Sequence, residues 1–190
     1  MLNIVLFGPP GAGKGTQSEN IITKYKLVHI ATGDLFRKHL KEGTDLGQKA
    51  KQYMDAGNLV PDEVVIGMVD EKISEFPATN GFIFDGFPRT VAQAEALDEL
   101  LKKNNTSISL MIALQVPDDE LRQRIVLRGK TSERTDDQNI EKINNRIKVY
   151  KEETLPVAKY YQNQGKLAEV NGVGSIDEIF DHISKEIDKH

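Results

Sequence analysis

The segment that most constrains this chain is Gly8-Pro9-Pro10-Gly11-Ala12-Gly13-Lys14-Gly15-Thr16. It follows the apolar run Asn3-Ile4-Val5-Leu6-Phe7 and precedes a helical stretch from about Thr16 to Tyr25. A strand that enters a glycine-rich turn and leaves it as a helix is the setting of a phosphate-binding loop of Walker A type. Glycines let successive backbone N–H groups turn inward toward phosphate oxygens, and the N-terminus of the following helix adds partial positive charge. Lys14 supplies a full charge suited to β- and γ-phosphates. A glycine-rich turn without a ligand requires neither the fixed glycines nor the Gly-Lys pair. Gly15 departs from the general pattern, which has Ser or Thr there; a hydroxyl arrives only at Thr16.

Further short apolar runs, Val28-His29-Ile30, Phe82-Ile83-Phe84, Ser109 to Val116 and, more weakly, Leu167 to Val170, read as buried strands. Helical patterns lie between them, among them Val65, Met68, Val69 and Ile73 after Pro61, a residue suited to a first helical turn. In the last helix, Ser175 and Glu178 form a capping-box pattern, and Ile176, Ile179, Phe180, Ile183 and Ile187 follow helical spacing. Alternating strands and helices imply an α/β fold, a parallel sheet covered on both faces. The polar stretches 33–59 and 129–138 are expected to project from the core and to move.

The chain has 190 residues, room for one ordinary domain with insertions. A net charge of −4 without long runs of like charge speaks against a nucleic-acid or membrane surface and leaves a small-molecule partner. The sequence contains no cysteine, which removes disulfides and thiolate zinc sites and suits a reducing cytosol. The apolar N-terminal run is too short for a signal or membrane segment, so a cytoplasmic location is expected.

A phosphate loop alone does not separate kinases from switches, motors or ATPases. No Asn-Lys-x-Asp run is present to read guanine, and no Gly-x-Ser-x-Gly elbow to support a Ser-His-Asp hydrolase. His29, His39, His182 and His190 have no metal or triad spacing and read as core or surface residues. Phe84-Asp85-Gly86-Phe87-Pro88-Arg89-Thr90 instead puts an acid and an arginine at the end of a strand, where ligands meet open parallel sheets. Asp85-Gly86 would also serve as a plain turn.

Together with Ala31-Thr32-Gly33-Asp34-Leu35-Phe36-Arg37 and with Gln93, these motifs resemble the adenylate kinase family in order and spacing over essentially the whole chain. The resemblance implies a P-loop kinase fold: a five-stranded parallel sheet with helices on both faces, a helical AMP-binding lobe and a short lid. In these numbers the core is 1–30, 61–128 and 139–190, the lobe 31–60 and the lid 129–138. It places ATP on Gly11, Ala12, Gly13, Lys14, Gly15, Thr16, Arg124, Arg128 and Gly174. AMP falls to Thr32, Gly33, Arg37, Asn58, Leu59, Val60, Gly86, Arg89, Gln93, Arg134 and Arg146. Lys14, Asp85, Arg89, Arg124, Arg134 and Arg146 are the implied catalytic set, with Asp85 meeting Mg²⁺ through water. Arg37 and Arg89 would grip the monophosphate, since a planar guanidinium holds two phosphate oxygens at once. Gln93 would read adenine, its amide offering both a donor and an acceptor.

Arg124 and Arg128 sit one turn apart on a helix expected from near Pro117-Asp118, beside the core positions Leu121 and Ile125. Only 129–135 separates Arg128 from the pair Asp136-Asp137, which resembles the short-lid form, and no structural zinc is expected. The implied reaction is reversible transfer from MgATP to AMP, giving two ADP, by a monomer. A UMP/CMP-type kinase shares the loop and the clamps, and Gln93 in Thr-Val-Ala-Gln favours adenine over it. A non-catalytic ATP-binding switch would have no use for the acceptor-side Arg37, Arg89 and Gln93.

Overall fold

Alternate side chains of a strand point to opposite faces, and here both faces are apolar, which obliges the sheet to be covered on both sides. In β1 (Ile4–Phe7), Val5 and Phe7 join one core while Ile4 and Leu6 join the other. The computed structural model, which describes residues 1–131 and 137–190, places β1 at the centre of a five-stranded sheet. The remaining strands are β2 (Val28–Ala31), β3 (Phe82–Asp85), β4 (Leu110–Gln115) and β5 (Leu167–Asn171). Their order is β2-β3-β1-β4-β5 and every pairing is parallel. Each expected strand forms, with ends shifted by a residue at most.

The first core packs Phe82, Phe84, Met111 and Ala113 of the sheet against α4 (Asp62–Ser74), α5 (Val91–Lys103) and α8 (Leu155–Asn163). The second packs Ile83, Ile112, Leu114 and Val170 against α1 (Lys14–Tyr25) and α9 (Ile176–Ile187). In α9 the expected capping box forms, and Ile179, Ile183 and Ile187 are buried one turn apart. Ile176 follows the spacing but is exposed: it opens the helix, before the chain has reached the sheet. Pro61 stands just outside α4 as its N-cap.

The polar stretch after β2 is helical, α2 (Thr32–Lys41) followed by α3 (Asp45–Ala56). Beyond β4, α6 (Asp118–Thr131) and α7 (Ile140–Val149) share a small cluster of Ile125, Ile143 and Ile147. A π-helical turn, Tyr150–Thr154, joins α7 to α8. Because the strands are parallel, the phosphate loop, the start of α2 and the Gly86 segment all leave the same carboxyl edge of the sheet.

Candidate active site

The register sets the chemistry. Asp85 stands opposite both Leu6 and Ala31, so the ends of β1, β2 and β3 are level and their loops converge. Gly13 caps α1 at φ 92°, a left-handed conformation that a side chain would strain, and nothing lies within 4 Å of where a Cβ would project. With no side chain bonded to the cap and no acid in its first turn, α1 presents its leading N–H groups outward, an arrangement suited to an anion. Lys14 folds back over the loop, its Nζ donating to the carbonyls of Gly8 at 2.9 Å and Pro9 at 3.1 Å.

Burial lowers the Lys14 pKa to about 8; the Asp85 carboxylate opposes the fall, and the charges of Arg89, Arg146 and Arg128 add to it. Four cations therefore bear on one region. Asp85 lies beside α1, 3.5 Å from Ser18 Oγ, and its side chain is 15% exposed.

Between the sheet edge and the α2–α3 lobe opens a cleft of about 140 Å³. It is lined by Lys14, by Thr32, Gly33 and Arg37 of α2, by Asn58, Leu59 and Val60, by Gly86, Arg89 and Gln93, and by Arg146 of α7. Gly86 has φ 74°, and a Cβ there would come within 2.9 Å of the Arg89 guanidinium. Its carbonyl accepts from Thr32 Oγ1 at 2.9 Å and from Arg89 Nε at 2.7 Å, which aims Arg89 along the loop. Arg37 pairs with Asp34 on its own helix.

Arg146 reaches the cleft from the far side, and its Nη1 bonds Asp137 at 2.6 Å. Asp137 is fully buried and also takes two bonds from Arg128, at 2.5 and 2.9 Å. Burial alone would raise the Asp137 carboxyl pKa; the hydrogen bond and charge of Arg128, with those of Arg146, outweigh it and hold the group below its ordinary value. Arg124 points elsewhere: it bonds Glu120 at 2.7 Å and the Gly172 carbonyl at 3.0 Å, tying α6 to the β5–α9 connection that carries Gly174. Arg134 and Asp136 lie outside the described residues.

The fold thus gathers the described acceptor-side residues in one cleft, while Arg124, Arg128, Asp85 and Gly174 stand off its lining. Sequence reasoning missed Tyr150 and Asn145. Tyr150 lines the cleft from the π-helical turn and packs on Phe7 with ring centroids 5.6 Å apart. Asn145 Nδ2 bonds the Ala56 carbonyl at 2.8 Å and Asn58 Oδ1 at 3.0 Å, holding the end of the lobe against α7. A π-helical turn is a local signal often found at functional sites, but it needs coordinates to be seen.

Comparison with known proteins agrees over almost the full length. The family described as Adenylate kinase matches residues 6–166. An adenylate kinase of Flavobacterium psychrophilum is 51% identical over 187 residues, covering 98% of each chain. Adenylate kinases of Bacteroides fragilis and Bacteroides thetaiotaomicron are each 49% identical, covering 99% and 100% of both chains respectively.

Proposed function

We propose, since this chain belongs to the adenylate kinase family, that it transfers the γ-phosphoryl of MgATP reversibly to AMP, giving two ADP. The observation that carries the assignment of residues is electrostatic. Burial lowers the pKa of the phosphate-loop lysine, three arginines on separate elements add to the fall, and two of them line the cleft that also holds Gln93.

In the reaction an oxygen of the AMP phosphate attacks the γ-phosphorus in line as the bond to the β-phosphate oxygen breaks. No general base is needed, because the attacking phosphate is already anionic. What the protein must supply is alignment, neutralisation of charge and exclusion of water. Lys14 and the N–H groups of Gly11 to Thr16 hold the phosphates of ATP, with Arg124, Arg128 and Gly174 completing that side. Arg37 and Arg89 hold the AMP phosphate, Arg146 faces the transferring group, and the family resemblance gives Arg134 the same role. Thr32, Gly33, Asn58, Leu59, Val60 and Gly86 shape the AMP pocket, and Gln93 reads its base.

Mg²⁺ enters with ATP as part of the substrate. Asp85 beside Ser18 is a donor set suited to a cation that keeps most of its waters. The segments 31–60 and 129–138 act as lobe and lid, closing to keep water from ATP. The protein works as a cytoplasmic monomer. No helix among the described residues is long and apolar enough to cross a membrane, and the absence of cysteine suits a reducing compartment.

The test is ADP formation from MgATP by the purified protein with AMP, CMP, UMP, GMP or no acceptor. Rapid turnover with AMP over a slow no-acceptor control is expected. Preference for a pyrimidine monophosphate would remove the base-reading role of Gln93, and indifference to the acceptor would overturn the transfer itself.

A further inference from the structure

Gln93 is 1% exposed, and both ends of its amide are already engaged. Its Oε1 accepts from the backbone N–H of Arg89 at 2.8 Å, and its Nε2 donates to Asp62 Oδ1 at 2.7 Å. A backbone N–H can only donate and a carboxylate only accept, so these partners allow the amide one orientation. Asp62 is itself held: Thr90 Oγ1 donates to both of its oxygens at 3.1 Å while accepting the Gln93 N–H at 3.1 Å as the cap of α5. The carboxylate thus joins the start of α4 to the start of α5, directly behind the cleft wall.

After these bonds the Gln93 amide keeps one N–H and one lone pair for the cleft that it lines. Their order matches a base edge with an exocyclic amino group beside an unprotonated ring nitrogen. An edge with a carbonyl beside a ring N–H has the reverse order. To serve it the amide would have to flip, setting Nε2 against the Arg89 N–H and Oε1 against the carboxylate.

We propose that Asp62 is a positioning residue for nucleotide selectivity, fixing the polarity of the Gln93 amide so that the acceptor site takes 6-amino and rejects 6-oxo purine monophosphates. The inference rests on the AMP reading of this cleft.

Inosine monophosphate differs from AMP only at that edge and is the probe. Initial rates with MgATP are measured for AMP and inosine monophosphate in the unaltered enzyme, Asp62→Asn, Asp62→Glu and Gln93→Leu, with a melting temperature for each. An asparagine can offer an N–H to Gln93 Oε1 and so removes half of the penalty for flipping. Asp62→Asn is expected to narrow the ratio of kcat/KM for AMP to that for inosine monophosphate about tenfold, the scale of one hydrogen bond. AMP should lose through KM while inosine monophosphate does not fall. Asp62→Glu, which keeps an acceptor-only group, should hold the ratio closer to the original value.

A parallel fall for both nucleotides, or Glu doing worse than Asn, overturns the positioning role. An unchanged ratio in Asp62→Asn while Gln93→Leu narrows it also overturns that role and leaves the AMP reading standing. An unchanged ratio in both variants, or no AMP-dependent ADP from the unaltered enzyme, removes the reading beneath it.

Discussion

Lys14 is held where its charge is costly. A pKa lowered from 10.5 to about 8 means that burying the ammonium opposes folding by about 3 kcal/mol at neutral pH. The folded chain binds fewer protons than the unfolded chain between those two values, so this residue's contribution to stability improves as pH rises from about 8 to 10.5. Lys14→Met is therefore expected to lower kcat by about 10²–10³ or more while raising stability at pH 7 by on the order of 1–3 kcal/mol. The gain should fade across the alkaline window. Denaturant titrations at pH 7 and 10, beside kinetics, check both halves; unchanged turnover would end the assigned role. Lys14 was legible because the whole phosphate loop is local, one strand, one turn and one helix start in consecutive residues. Asp62 was not: after a proline it reads as an ordinary first-turn acid, and only the packing of α4 against α5 brings it to Gln93.

Among the elements, those buried on two faces or capped by their own side chains were readable before any coordinates. The strands announce themselves as unbroken apolar runs, and α9 by Ser175, whose hydroxyl accepts the Glu178 N–H at 3.2 Å while Glu178 returns a bond. Ser175→Ala is expected to cost about 1 kcal/mol, seen as a lower melting temperature with unchanged kcat. A drop in kcat out of proportion to stability would show that the β5–α9 connection does more than end the sheet. From its residue pattern the lobe is legible only as a polar stretch; that it is helical comes from the family resemblance. Its α2 and α3 bury few residues, Thr32 and Phe36 in one and Gly47 and Ala50 in the other, so most of their side chains remain polar and outward. The π-helical turn at Tyr150 breaks the helical period and so erased its own signal.

On the scale of the whole molecule, parallel strands place every functional loop at one edge, and the lobe meets the rest of the protein beside them. Asn145 fastens that meeting, with bonds to Ala56 and Asn58 from a helix that also carries Arg146 to the cleft. Asn145→Ala is expected to raise KM for AMP by about five- to tenfold, the worth of roughly one hydrogen bond, with KM for ATP little changed. Equal effects on both substrates would place Asn145 in general stability instead. The buried Asp137 carries a further consequence. It already satisfies Arg128 and Arg146, so nucleotide phosphates arriving there exchange one anion for another and add little new pairing. Binding then resembles an ion-exchange step, and KM should climb with added salt less steeply than the number of basic groups suggests. Asp137→Asn, by removing the resident counter-ion, should steepen that climb.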